Sequence, residues 1–340
     1  KPDVIAGLIT RWNLYAGDFK PLAPDDPKLP LARPFKLDGI YRSGTLTLDQ
    51  ATLGRRLLAG GKTEVPGTSR ILATQELFVR LPKNYNPTAP AGLLVWIDPN
   101  EAGLIPGSYE SALDNLNIIA IGAAGMGNSR EMSDRLQLAL DGLATASHRF
   151  HIDPDRIYVS GLSGGGRLSS TALACFPEHF NAAIAVVGVS CYENLPTGTG
   201  GFWSGGFRKP QGKLFARFQQ HPLAIVTGDR DFNKNEIKRA FDVFTRDRCN
   251  VKLFEWEDLG HTIPSPDRMQ AIFEWIDAPA QTQSTKATES ATRLLTTLQA
   301  RHAKTPLTPA ALKTEVAKIT TTAPWSPPAW EAIKLLSATK

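Results

Sequence analysis

The chain has 340 residues, enough for one large α/β domain with an appendage or for two modest domains. Hydrophobic residues make up 42% and charged residues 21%, an ordinary globular balance, and no stretch approaches the roughly 18 unbroken apolar residues of a membrane span. The net charge of +5 is scattered and mixed in sign, without basic runs interleaved with aromatics, so nucleic acid is not an expected partner.

In chain order, residues 1 to about 69 begin Pro-rich (Pro21, Pro24, Pro27, Pro30, Pro34) and read as an extension packed on a core, with a short helix from Leu46 to Leu58. Residues 70–280 change character. Thr74–Leu81 alternates like an edge strand. Gly92–Ile97 and Asn117–Ile121 are unbroken apolar runs, stopped by Asp98-Pro99-Asn100 and by Gly122. Met132–Arg149 has helical spacing, Arg156–Ser160 is a strand, and Gly164–Cys175 is a helix. Ala183–Val187, Leu223–Thr227 and Val251–Trp256 are further strands, and Asn235–Arg246 and Asp267–Asp277 further helices. Apolar strands alternating with helices predict an α/β fold with a mainly parallel sheet covered on both faces.

Residues 281–340 read as linker and helical appendage. The stretch Ala278–Thr292, rich in Ala, Gln, Ser and Thr, is the expected linker. Thr292–His302, Pro309–Ile319 and Pro328–Leu336 are weak helices with too little apolar content for a core of their own. Cys175, Cys191 and Cys249 make an odd count, so they leave either one bridge and a free thiol or three thiols. The chain starts at Lys1, and the expectation is a processed form that is secreted or periplasmic after loss of a signal peptide.

The chemistry centres on Gly161-Leu162-Ser163-Gly164-Gly165, a G-x-S-x-G between an apolar strand and a helix. A nucleophilic serine on a strained strand-to-helix turn needs small neighbours two residues away on each side, because strand and helix approach closely there. The turn also aims helix N-terminal N–H groups at developing negative charge. Two nucleotide readings fail. Gly161–Gly166 does not have G-x-G-x-x-G order, and Gly206–Lys213 is followed by Leu214 where a phosphate loop needs Ser or Thr.

A serine needs a base oriented by a carboxylate. Ligand sites in such sheets lie beyond the carboxyl ends of the strands, and that rule sorts the six histidines. His151 and His221 precede strands, His148 and His179 end helices running away from the site, and His302 lies in the appendage. His261 closely follows a strand and is the expected base. Asp231, a few residues past Leu223–Thr227, is the expected acid, with Asp229 and Asp258 as competitors. The order Ser, Asp, His is that of α/β-hydrolases.

Residues 74–278 resemble the polyhydroxybutyrate depolymerase and feruloyl esterase-like branch of the α/β-hydrolases. The resemblance rests on ELFVRLPKNY, IDPDRIYVSGLSGGG, PLAIVTGDRDFN and LGH. It implies hydrolysis of a small-molecule or polymeric ester through an acyl-enzyme, with no cofactor and no metal. Such esterases carry His-Gly after the third core strand, where this chain has Asp98-Pro99-Asn100-Glu101. One oxyanion donor is expected from the backbone of Gly164, and the second from Asn100 or Glu101. Arg167, one helical turn past Ser163, either binds a substrate acid group or forms a plain salt bridge. Phe202 and Trp203, in the Gly-rich loop from Ser190 to Pro210, either grip an aryl or sugar group or pack the loop. Two rival readings stand beside the esterase. One is a prolyl-oligopeptidase-like peptidase, ranked lower because no propeller-length segment precedes the hydrolase region. The other is a binding protein that kept the fold, motivated by the altered Asp98–Glu101 segment.

Overall fold

A computed structural model of the chain describes residues 34–36, 50–58, 75–83, 85, 90–324 and 326–338. The expected N-terminal extension lies mostly outside the described residues. Within it are strand β1 (Pro34–Lys36) and helix α1 (Gln50–Leu57), the latter inside the helix expected from Leu46 to Leu58. The chain divides into a larger unit of Leu22–Tyr85 and Ala91–Ile276 and a smaller one that includes Asp277–Lys340.

The larger unit is built on β2 (Glu76–Arg80), β3 (Ala91–Ile97), α2 (Glu110–Asn115), β4 (Ile118–Ala123), α3 (Met132–Arg149), β5 (Ile152–Leu162) and α4 (Gly164–Cys175). It continues with β6 (Ala182–Val186), β7 (Leu195–Pro196), β8 (Phe202–Trp203), α5 (Gly212–Gln220), β9 (Leu223–Arg230), α6 (Lys234–Arg246) and β10 (Val251–Gly260). Helix α7 (Pro266–Lys304) begins in this unit. The eight-stranded sheet has the order β1-β2-β4-β3-β5-β6-β9-β10. Only the β1–β2 and β2–β4 pairings are antiparallel. This is the α/β-hydrolase architecture.

Residues one apart along a strand point to opposite faces, and both faces are apolar. Leu93, Val95 and Ile97 of β3 pack in one cluster with Leu136 and Leu140 of α3 and Leu168 of α4. Leu94 and Trp96 pack in the other, with Tyr109, Met269, Ile272 and Phe273. There Tyr109 lies edge-on to Trp96 and to Phe273, with centroids 5.3 and 5.4 Å apart. Its hydroxyl shares a 2.9 Å hydrogen bond with Ser160 Oγ, so the phenol is satisfied inside the stack. Each ring buried this way contributes roughly 1.5–3 kcal/mol. The hairpin β7–β8 and helix α5 were not expected from the sequence, because their short or mixed runs lack a clean period.

In the smaller unit, the linker expected at Ala278–Thr292 is helix, because α7 runs through it. Hydroxyl-rich composition suggested a loop. Here the hydroxyls instead bond back to carbonyls four residues earlier, as Thr285 does to Gln281 and Thr292 to Thr288, so they coexist with the helix. Pro279 lies inside it and removes one backbone donor. The expectation that these helices lack a core is also corrected. Ala291, Leu295 and Leu298 recur at helical spacing and cluster with Leu312, Val316 and Ile319 of α8 (Pro309–Thr322) and Ala332 of α9 (Pro327–Ala338). Thr308 caps α8 by accepting from the Ala311 N–H, followed by Pro309 in the first turn. Among the described residues no helix is long and apolar enough to cross a membrane. Cys175, Cys191 and Cys249 are all free thiols.

Candidate active site

Ser163 stands between β5 and α4 with φ 54° and ψ −114°, a left-handed conformation that costs a non-glycine residue about 1–3 kcal/mol. The turn is held by its N–H, which donates to Val186 O at 2.8 Å. The flanking glycines are required by space. A methyl group on Gly161 would run into the Gly165 backbone and lie 2.6 Å from Ile97 O. Strand and helix therefore meet at the pair Gly161 and Gly165, which leaves Ser163 at the crest.

His261 follows β10 directly. Its Nδ1 lies 2.8 Å from Asp231 Oδ1, and its Nε2 lies 2.8 Å from Ser163 Oγ. A carboxylate accepts only, so Nδ1–H donates to Asp231, and Nε2 is left to accept the Ser163 hydroxyl proton. Asp231 is buried just beyond β9. Its Oδ2 accepts from Thr227 Oγ1 at 2.7 Å, and Oδ1 also accepts from the Asn233 N–H at 3.1 Å. Three donors thus fix the orientation of the carboxylate. The competing carboxylates are engaged elsewhere, Asp229 with Lys234 and Asp258 with Arg268 at 2.8 Å.

The other residues singled out from the sequence are distributed differently. The Asn100 N–H donates to Asp98 Oδ1 at 2.9 Å and so closes the turn after β3 rather than facing Ser163. The Glu101 carboxylate accepts from Ser129 Oγ at 2.7 Å. Arg167 is an ion-pair partner, not a free cation. Its two terminal nitrogens donate to Glu236 at 2.5 and 2.6 Å, and that contact holds its pKa above the usual value. Glu236 is buried, so Arg167→Met is expected to cost about 1–2 kcal/mol in urea unfolding, moderated by the partial exposure of Arg167. The same variant is expected to shift the KM of acid-bearing and neutral esters alike. A loss confined to acid-bearing esters would restore Arg167 as a substrate contact. Trp203 packs against the core cluster, while Phe202 is 66% exposed.

Asn128 is the residue that sequence reasoning passed over. It lies on the loop after β4, and its N–H donates to Pro99 O at 2.9 Å, which ties that loop to the turn after β3. Its carboxamide lies over Gly164 with the oxygen nearest: a methyl group there would run into Asn128 Oδ1 and fall 2.7 Å from Cγ and 3.0 Å from Nδ2. Arg135 braces both loops, donating to Met126 O at 2.6 Å and to Asp98 O at 3.2 Å. Burial pulls the Arg135 pKa down to about 10, so the brace stays charged at neutral pH. The signal that could have found Asn128 was strand polarity, since it follows the apolar run Asn117–Ile121 at the same end of the sheet as Ser163.

The prolyl oligopeptidase family model matches residues 128–282, less than half of the chain. A search of the curated proteins found no match. Among solved structures, the chain is similar to a thermostable esterase at 16% identity, over 55% of this chain and 52% of that one, with a TM-score of 0.41. It is similar to Est1E from Butyrivibrio proteoclasticus at 16% identity, over 62% of this chain and 94% of that one, with a TM-score of 0.40. Similarity to an acylaminoacyl peptidase is 14% in identity, over 61% of this chain and 39% of that one, with a TM-score of 0.43. The chain therefore spans about half of the thermostable esterase and less of the peptidase.

Proposed function

We propose that the chain is a serine hydrolase of the α/β-hydrolase type that cleaves a carboxylic ester with Ser163 as nucleophile, His261 as base and Asp231 as orienting acid. The observation that carries this reading is the unbroken pair of 2.8 Å hydrogen bonds from Asp231 through His261 to Ser163. His261 Nε2 takes the Ser163 proton while Oγ bonds the ester carbonyl carbon. The carbonyl oxygen becomes an oxyanion. Its collapse breaks the bond to the alcohol oxygen, which receives the proton from His261, and the acyl group stays on Ser163. Water repeats the sequence with the same base and releases the acid.

The oxyanion is held by the Gly164 N–H and by the Asn128 carboxamide, whose nitrogen faces the oxygen after a half turn about its last side-chain bond. Ester is favoured over peptide by the chemistry exposed at this end of the sheet. Leu104 after β3 and Phe202 in the connection after β6 are exposed apolar side chains. The carboxylates flanking Asp231, Asp229 and Glu236, which could otherwise meet a peptide ammonium group, are paired with Lys234 and Arg167. The family match favours a second reading, a peptidase of the prolyl oligopeptidase type.

Matched p-nitrophenyl esters and p-nitroanilides of the same short acyl groups test this. The expected result is a kcat/KM for the esters at least ~100-fold above that for the anilides, with labelling of Ser163 by an active-site phosphonate. Faster anilide cleavage would select the peptidase, and absence of labelling would select a binding protein.

A further inference from the structure

Phe232 is a large apolar side chain that is 78% exposed, yet its ring lies against the imidazole of His261. The ring centroids are 3.9 Å apart and the planes 24° from parallel. The backbone on both sides of Phe232 is pinned. The Asp231 N–H donates to Gly228 O at 3.0 Å, and the Lys234 N–H donates to Asp231 O at 3.1 Å. Asn233 Nδ2–H donates to Val187 O at 3.0 Å. With the backbone held, rotation about two side-chain bonds is all that remains to place the ring.

The two hydrogen bonds of His261 run in the plane of its ring. They fix where Nδ1 and Nε2 aim but resist out-of-plane tilting weakly. A stacked ring resists that tilt. It also covers one face of the imidazole, from which water could compete for either hydrogen bond. The imidazole becomes a cation each time it takes the Ser163 proton, and an aromatic face attracts a cation. An exposed ring gains little from burial, so folding stability alone gives no reason for phenylalanine at this position.

We infer that Phe232 is a positioning residue of the hydrolytic reaction: it holds the His261 imidazole in the plane that joins Ser163 to Asp231 and shields that face from water. The inference rests on the reading of Ser163, His261 and Asp231 as nucleophile, base and acid.

Phe232→Ala, Phe232→Leu and Phe232→Tyr test it, each assayed for kcat and KM with p-nitrophenyl acetate. In parallel, proton NMR follows the downfield Nδ1–H of His261, which reports the bond to Asp231 without any turnover. Phe232→Ala is expected to lower kcat about tenfold with KM changed less than about twofold. Its Nδ1–H resonance is expected to broaden through faster exchange with water. Phe232→Tyr restores the flat face and is expected to retain wild-type kcat. Phe232→Leu restores bulk alone and is expected to fall between. A Phe232→Ala enzyme with wild-type kcat and an unbroadened resonance would overturn the inference. So would a raised KM at unchanged kcat, which would make Phe232 a substrate contact. Failure of the underlying reading looks different: the wild type would neither turn over esters nor take a phosphonate on Ser163, while the Nδ1–H resonance would still report what Phe232 does to His261.

Discussion

Ser163→Ala is expected to lower kcat by about 10⁶ while leaving KM near its wild-type value, because the variant removes the atom that bonds the acyl carbon and keeps the surroundings that bind the ester. A residual rate of about 10³ over water would come from the oxyanion donors and from binding alone. Steady-state hydrolysis of p-nitrophenyl acetate and labelling by a phosphonate measure both quantities, and retention of more than a thousandth of kcat would move the nucleophile elsewhere. A companion variant reads the backbone. With φ at 54°, Ser163 sits where glycine suffers no Cβ clash. Ser163→Gly is therefore expected to abolish turnover and yet raise stability by about 1 kcal/mol, a Tm increase of roughly 2–4 °C. A drop in Tm would mean that the serine side chain, through its 2.8 Å bond to His261, stabilises the turn more than its backbone angle strains it.

Some of this was legible without coordinates. Apolar runs such as Gly92–Ile97 and Ala183–Val187 announce strands buried on both faces, and they fall within β3 and at β6. The direction of those strands then narrows six histidines and several aspartates to His261 and Asp231, which the fold joins to Ser163 by two hydrogen bonds. What escaped were side-chain pairings, distant and local. Arg167 reads as a cation beside the site until Glu236, on another helix, is seen to meet it. Asn100 reads as a donor until Asp98, two residues away, takes its N–H. Composition also misled: threonines and alanines between Ala278 and Thr292 look like a linker, while Ala291 and Leu295 already carry the helical spacing that buries them. Phe232 had no signal at all, since an apolar residue beside an acid in a turn acquires meaning only from the ring it covers.

Asn128→Ala is expected to reduce kcat by about 10²–10³, equivalent to ~2.7–4 kcal/mol of transition-state stabilisation, with KM little altered. The reasoning is one of elimination by hydrogen bonding. The turn after β3 would ordinarily supply the donor opposite Gly164, but in this chain the Asp98 carboxylate draws in the N–H groups of Asn100 and Gly103, at 2.9 and 3.0 Å. The Glu101 side chain brings negative charge, which an oxyanion repels. The carboxamide of Asn128 is neutral, carries two N–H donors, and already rests against Gly164. Its backbone bond to Pro99 O survives truncation, and the side chain is exposed, so Asn128→Ala should leave Tm within about 2 °C of wild type. Asn128→Asp gives the sharper result. It preserves size and replaces the donor with an anion, so kcat should fall below that of Asn128→Ala, as expected of a group that faces developing negative charge and not of one that merely fills space. Equal rates for Ala and Asp, or a kcat above half of wild type in either, would remove Asn128 from the oxyanion site and return the search to the backbone between Glu101 and Gly103.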